Sequence, residues 1–467
     1  MTSIDEIHYY DMAELARRLH SKELSPVELT EAMLARIERV DRRLLSFARL
    51  TPELALEQAR AAEQKIMKRQ ITGPLLGVPI GLKDLNYTKG IPTAAGMTIH
   101  RNFVPAFDGT VVARLRAAGT ILLGKLQMTE GAFADHHPDI APPVNPWHPD
   151  HWSGASSSGS GVATAAGLCF GSTGSDTGGS IRYPSAANGV TGLKPTWGRV
   201  SRYGAFELAA SLDHLGPMCR SAADCGAMLG AMAGADVNDP TASQLPVPNY
   251  LDGLDRELRN LRIGIDEKYN CQGVDALTQK VVDDALSVFK TLGADIRYVE
   301  FPDPARILDD WAPNCAVETA VAHEATYPSR KSEYGPGLSA FIDSGRPVSA
   351  MAYQKIRLRR VAFGGRVAAL FESIDLLLVP AQSRASPTVR QMAILGQDPQ
   401  ELLALLRFAA PFSMTGSPTI TLPAGFTTMG TPVAFQLVAG HMREERLVRA
   451  GRAYQRETDW HRRHPKL

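Results

Sequence analysis

Three positions in this 467-residue chain carry side chains and surroundings suited to acyl chemistry. Ser180 ends the loop Gly174-Ser175-Asp176-Thr177-Gly178-Gly179-Ser180 and is followed by Ile181-Arg182. Gly178 and Gly179 lack a Cβ, so the backbone before Ser180 can turn sharply and aim successive N–H groups into one concavity. Such a nest holds a developing oxyanion, and losing one such donor costs about 2.7–4 kcal/mol of transition-state stabilisation. Roughly one βα unit upstream lies a serine cluster, Gly154-Ala155-Ser156-Ser157-Ser158-Gly159-Ser160. Further upstream a strand-like run, Val78-Pro79-Ile80-Gly81-Leu82, ends in Lys83-Asp84. A lysine and two serines on separate loops can activate a serine nucleophile without histidine, which is hydrolase chemistry.

Each residue also has a plainer reading. The glycine loop alone is a flexible turn, Ser156-Ser157-Ser158 a polar cap, and Lys83 a lysine at a strand end. The loop is no P-loop, which needs Gly-Lys-Ser/Thr at its end. Ile181-Arg182 also breaks the G-x-S-x-G pattern of a nucleophile elbow. The combination argues for chemistry. A serine hydroxyl needs a base, and a lysine with an ordinary pKa of about 10.4 serves only if it is neutral near pH 7. Burial and nearby N–H dipoles act in that direction. A hydroxyl at Ser156 would relay the proton between the two. His136, His137, His148 and His151 lie near Asp135, Asp139 and Asp150, but their spacing fits no defined metal motif. No metal and no cofactor is therefore expected.

The elements that must position these residues read as α/β. Residues 10–65 show helical apolar spacing at Leu15, Leu19, Leu29, Met33, Leu34 and Ile37, with Ser25-Pro26 as a helix start. After Gly73-Pro74 short apolar strands alternate with helices, including a helix over 111–118, a strand over 120–123 and a small-residue helix from Gly161. Further strands are predicted over 261–265, 376–379, 419–422 and 433–438, and a last helix over 444–456. The expectation is a single large domain over 1–467, with a mixed, mainly parallel β-sheet covered by helices on both faces. The Pro- and Asp-rich stretch 236–260 reads as an excursion from that sheet. Residues 300–410 read as a variable helical region facing the substrate.

Composition excludes several classes. The net charge is +1, with no basic run for nucleic acid or a membrane surface. Five cysteines without CxxC spacing suit a reducing cytoplasm. The opening Met1-Thr2-Ser3-Ile4-Asp5-Glu6 is too polar for a signal peptide, and no apolar run reaches membrane-spanning length.

With these residues in place, the chain resembles the amidase signature family. Gly77 to Asp84 resembles the family's lysine strand, with Gly90-Ile91-Pro92-Thr93 after it. The serine cluster is similar to the family's Gly-Gly-Ser-Ser-Gly-Gly-Ser. Gly174 to Arg182, continued by Pro184, Gly189, Gly192-Leu193-Lys194-Pro195-Thr196 and Gly198, is nearly a full signature. Likeness extends to Ser25-Pro26, Gly416-Ser417-Pro418 and Gln436-Leu437. The signature core spans about 73–220, and likeness is weakest between about 240 and 410. The resemblance implies a Ser-cisSer-Lys triad: Ser180 as nucleophile, Ser156 as bridging serine in a cis peptide, and Lys83 as neutral base. It also implies an oxyanion hole from the N–H groups of Thr177, Gly178, Gly179 and Ser180. Two departures are Ala155 and Ser158, each standing where the family has glycine.

The implied activity is cleavage of small apolar or aryl amides, extending to anilides, esters or carbamates. Met128, Phe133, Trp152 and Arg182 are candidate substrate contacts, with Trp147 and Trp311 as further pocket aromatics. The glutaminase component of a tRNA-dependent amidotransferase is the rival reading. There the segment after the second strand usually reads close to Gly-Lys-Thr-Asn-Met-Asp-Glu-Phe-Ala-Met-Gly, whereas this chain has Gly124-Lys125-Leu126-Gln127-Met128-Thr129-Glu130-Gly131-Ala132-Phe133. A non-catalytic binding protein on the same scaffold is disfavoured, because all three reacting positions are retained. The implied partner is a small-molecule amide, with no nucleic acid directly, no membrane, and a monomer or homodimer.

Overall fold

Helical periodicity near the N-terminus is realised in three helices, Met12–His20, Pro26–Leu44 and Pro52–Met67. Asp11 caps the first, and Ser25 caps the second with Pro26 at its start. Leu15, Leu19, Leu29, Met33 and Ile37 enter the main core. The sequence missed a strand between the last two helices, β1 (Phe47–Leu50). It has four residues, three of them exposed, and too little alternation to stand out from its helical neighbours. These observations come from a computed structural model, which describes residues 7–395 and 398–467. The polar opening, residues 1–6, lies outside the described residues.

The remaining strands are β2 (Pro79–Lys83), β3 (Ile121–Leu126), β4 (Gly171–Asp176), β5 (Thr191–Lys194), β6 (His214–Cys219), β7 (Arg262–Ile265), β8 (Asp295–Tyr298), β9 (Leu376–Pro380), β10 (Thr419–Phe426) and β11 (Pro432–Ala439). Among the described residues they form one sheet in the order β1-β3-β2-β4-β6-β5-β10-β11-β9-β7-β8. The sheet is mixed. Pairing is parallel for β2 with β3 and β4, and for β7 with β8 and β9. It is antiparallel from β4 through β6, β5, β10 and β11 to β9, and at the β1 edge. The 236–260 stretch leads from helix Ala222–Met232 into β7 of this same sheet. Helices Ser158–Ala165 and Arg182–Asn188 pack on the sheet and on each other, close enough that a Cβ on Gly161 would press into Asn188. Among the described residues no helix is long and apolar enough to cross a membrane.

The parallel pairing of β2 with β4 matters most for chemistry. Lys83 is the last residue of β2 and Asp176 the last of β4, so both reactive segments leave the sheet on one side. Ligand sites in α/β sheets form there, outside the carboxyl ends of parallel strands.

Candidate functional site

The β2–β4 ladder pairs only Ile80 with Gly171 and Gly81 with Ser172 before the strands part. At the parting, a side chain replaces the backbone partner: the N–H of Lys83 donates to Thr173 Oγ1 at 2.9 Å. Lys83 thereby projects between the strands, fully buried. Its Nζ lies 2.6 Å from Ser156 Oγ, 2.9 Å from Ser157 Oγ and 2.8 Å from Ser175 Oγ. Burial pulls its pKa down to about 7, against the opposing charges of Asp176 and Asp213. As an ammonium it donates to all three hydroxyls. As a neutral amine it keeps two N–H bonds and accepts from one hydroxyl, so losing the proton turns one serine into its donor.

Ser156 arrives on a backbone that only small residues permit. Gly154 has φ +83° and lies so close to Pro184 that a Cβ would overlap its backbone. The following Ala155–Ser156 peptide is cis. Ser157 and Ser158 lead into helix Ser158–Ala165, and the Ser157 N–H donates to the Ser180 carbonyl at 3.3 Å. That bond lays the serine cluster beside the glycine turn.

The turn itself is organised by Asp176. Its carboxylate accepts from the N–H of Gly179 at 2.8 Å, of Ile181 at 3.1 Å and of Arg182 at 3.4 Å. Arg182 closes on it from Nε and a terminal nitrogen at 3.0 and 2.8 Å, both side chains fully buried, which holds the carboxyl well below its ordinary pKa. Gly178 lies against the Trp311 indole and Gly179, at φ +128°, against the Tyr183 ring; a Cβ on either would overlap the ring. Trp311 Nε1 donates to the Thr177 carbonyl at 3.0 Å, and Thr177 Oγ1 donates to Asp213 at 2.6 Å. From 153 to 196 every residue is buried except Ser180. The turn therefore presents this one side chain to the outside.

Several expectations change. Gly179 does not offer its N–H to an oxyanion, because Asp176 already accepts it; among the described residues no hydrogen bond uses the N–H of Thr177, Gly178 or Ser180. Arg182 is not poised for a substrate carboxylate: besides Asp176 it donates to the Ala409 carbonyl and Ser413 Oγ. Met128 is fully buried in the main core, which removes it from the pocket. Phe133 is half-buried and stacks on Phe341 at 4.1 Å. Trp152 is half-buried beside Tyr183, 6.0 Å between ring centres. Trp147 packs against Phe426, away from the turn. The four histidines part company: His136 lies 3.1 Å from Ser158 Oγ, His137 is near Asp139 and Thr98, and His148 packs on His151. Among the described residues no group of three His, Cys, Asp or Glu could hold a metal. Beyond Tyr183, whose hydroxyl donates to the Leu405 carbonyl, lies a cleft of about 290 Å³ lined by Gln382, Arg384, Met392, Leu395 and Leu405.

Sequence reasoning missed Ser157, Ser175 and Asp176 as partners of the reactive groups, although all three sit within the motifs already singled out. Their spacing alone did not reveal that the two serines converge on Lys83.

Comparison with known proteins agrees with this architecture. The family model described as Amidase matches residues 28–448. AmiD of Mycobacterium tuberculosis, a protein named as an amidase, is 48% identical over 461 residues, covering 99% of this chain and 97% of its own. The glutaminase component of the glutamyl-tRNA(Gln) amidotransferase of Methylococcus capsulatus is 38% identical over 490 residues, covering 98% and 99%. The solved structure of the peptide amidase from Stenotrophomonas maltophilia superposes with a TM-score of 0.82 at 28% identity, covering 98% of each chain. The chain belongs to the amidase signature family. Its reaction class follows: it is a hydrolase acting on amide carbon–nitrogen bonds.

Proposed function

We propose that this hydrolase is a stand-alone amidase that cleaves small apolar or aryl amides through an acyl-enzyme on Ser180. The observation that carries the reading is Lys83, fully buried, with Nζ 2.6 Å from Ser156 Oγ and a pKa drawn down to about 7. At neutral pH much of it is a free base. Lys83 Nζ takes the Ser156 proton while Ser156 Oγ takes that of Ser180, and Ser180 Oγ attacks the substrate carbonyl carbon. Negative charge on the carbonyl oxygen meets the uncommitted N–H groups of Thr177, Gly178 and Ser180. On collapse the proton returns through Ser156 to the amine nitrogen, the C–N bond breaks, and the amine leaves. Water then loses a proton along the same relay, attacks the ester carbonyl, and releases the acid and Ser180.

Trp311 and Tyr183, which flank the glycine turn, and Trp152 beside Tyr183 favour a flat or apolar group near the carbonyl. These uncharged rings suit neutral substrates, anilides, esters and carbamates among them. Five free cysteines suit a reducing, cytoplasmic setting.

A second reading is the glutaminase component of an amidotransferase, favoured by the 38% identity to the Methylococcus capsulatus protein. It is disfavoured by the departure over 124–133, where Thr129 donates its N–H to the Ser156 carbonyl at 3.2 Å and therefore borders the triad. Amine release from the purified protein alone separates the two. The panel holds glutamine, primary amides, aryl anilides and a carbamate, with Ser180→Ala as the blank. Release from anilides or primary amides supports the stand-alone enzyme. Activity confined to glutamine moves the reading to the partner-dependent glutaminase.

A further inference from the structure

Asp213 precedes β6 directly, and β6 pairs with β4 so that His214 stands opposite Asp176. That register brings Asp213 opposite Thr177, the first residue of the glycine turn. Its buried carboxylate receives three donors: Thr177 Oγ1 at 2.6 Å on one oxygen, and the N–H groups of Leu208 and Ala209 at 2.9 and 3.1 Å on the other. Thr177 is thus held at its hydroxyl by Asp213 and at its carbonyl by Trp311 Nε1, and its N–H stays uncommitted. The 208–213 turn is fastened in its own right, because Glu318 accepts from Ser211 N and Oγ at 2.7 and 2.6 Å. Asp213 and Ser175, which bonds Lys83, border the same small cavity of about 10 Å³.

We propose that Asp213 is a positioning residue of the amidase reaction, whose ionised carboxylate holds the Thr177 hydroxyl and through it the oxyanion-binding turn. The inference rests on the reading of Ser180 as nucleophile. A carboxylate suits the place because all its neighbours there are donors, and protonation would put a hydrogen among them. The charged and titratable groups facing it are Lys83 on β2, Arg202 and Glu207 in the segment after β5, and Cys315 and Glu318 on helix Ala305–Ala322. Burial raises the Asp213 pKa to about 6, so it is charged where Lys83, at about 7, becomes a free base. Its negative charge also holds the Lys83 pKa up.

The test is a double-mutant cycle of Asp213→Asn with Thr177→Val, read as kcat, KM and the pH dependence of kcat/KM on an amide that the wild type cleaves and Ser180→Ala does not. Each single substitution is expected to lower kcat by about 10²-fold with KM little changed, as for a small misplacement of a reacting group. The double variant should be no slower than the slower single variant, since both act through one hydrogen bond. Asp213→Asn should also move the acid limb of the pH profile downward, because removing the negative charge eases loss of the Lys83 proton. A purely structural role would not move that limb. Losses that multiply in the double variant, or a limb that stays in place, would overturn the proposal. If Asp213→Asn fails to fold, Thr177→Val decides: a lower kcat at unchanged KM supports it and wild-type kcat overturns it. Wild-type turnover by Ser180→Ala would instead defeat the nucleophile assignment, a separate failure.

Discussion

The stretch 153–196 and the helical region 300–410 meet at one turn and are built differently. In the first, burial is complete but for Ser180, and close contacts at Gly154, Gly161, Gly178 and Gly179 leave no room for a Cβ. In the second, large apolar side chains stand well exposed, with Val321 at 64%, Met351 at 71%, Leu358 at 61% and Val361 at 74%. It reaches the reactive region through a few directed contacts: Trp311 Nε1 on the Thr177 carbonyl, Phe341 stacked on Phe133, and the Gly335 N–H on Glu130. A dense interior holds geometry by fit, so each atom there constrains its neighbours. A sparse cover acts through single bonds and can change without dismantling what lies beneath. The first region is suited to fixing the reaction, and the second to choosing what reaches it.

That contrast can be broken at graded strength. The largest effect belongs inside the dense region: Ser180→Ala should reduce kcat by about 10⁴-fold or more, as loss of a nucleophile does elsewhere. Lys83→Met should come close to it, and wild-type kcat/KM should rise with pH through about 7 as Lys83 gives up its proton. A wild-type profile flat between pH 6 and 8 would remove lysine from the role of base. Next comes the seam. Gly179→Ala adds a methyl that meets the Tyr183 ring at a φ of +128°, and is expected to lower kcat by about 10²-fold through displaced N–H donors. Steady-state assays that find KM raised and kcat unchanged would say that the turn binds substrate and does not stabilise the transition state.

Two further substitutions sharpen the comparison. Arg182→Ala leaves Asp176 as an unpaired buried charge, and should cost about 3–5 kcal/mol in denaturant unfolding. Intact stability, with KM changed only for amides bearing a carboxylate, would restore Arg182 as a substrate ligand. The smallest effect is expected from the cover. Trp311→Phe removes one hydrogen bond to the turn, worth about 1 kcal/mol, and should lower kcat/KM by about fivefold while leaving the fold untouched. A loss as large as that of Gly179→Ala would erase the distinction between the two regions.

The same contrast explains what the sequence made legible. Lys83, Ser156 and Ser180 were readable because the glycines and serines around them are demanded by backbone geometry, and geometry of that kind leaves a fixed pattern of residues. Helices with long apolar stripes were readable for the same reason. Where position depends on distant packing, the reading ran out. Trp311 lies 134 positions from the carbonyl it holds, and nothing in its neighbourhood marks it apart from other core aromatics. Met128 looked suited to a pocket but enters the core. Arg182 looked available to a ligand until the turn folded Asp176 back against it. Strand direction was likewise not encoded in the strands: β10 and β11 read as ordinary apolar strands, and their antiparallel pairing follows from the short connection between them.

The central claim, that Ser180 carries the acyl group, is tested most directly by trapping it. An activated ester or slowly released anilide would be mixed with the enzyme, quenched in acid during turnover, digested, and mapped by mass spectrometry. The expected result is one acyl mass on the peptide containing Ser180, absent from Ser180→Ala. An acyl group on Ser156 or Ser157 under the same conditions, or brisk turnover with no acylated peptide, would contradict the account.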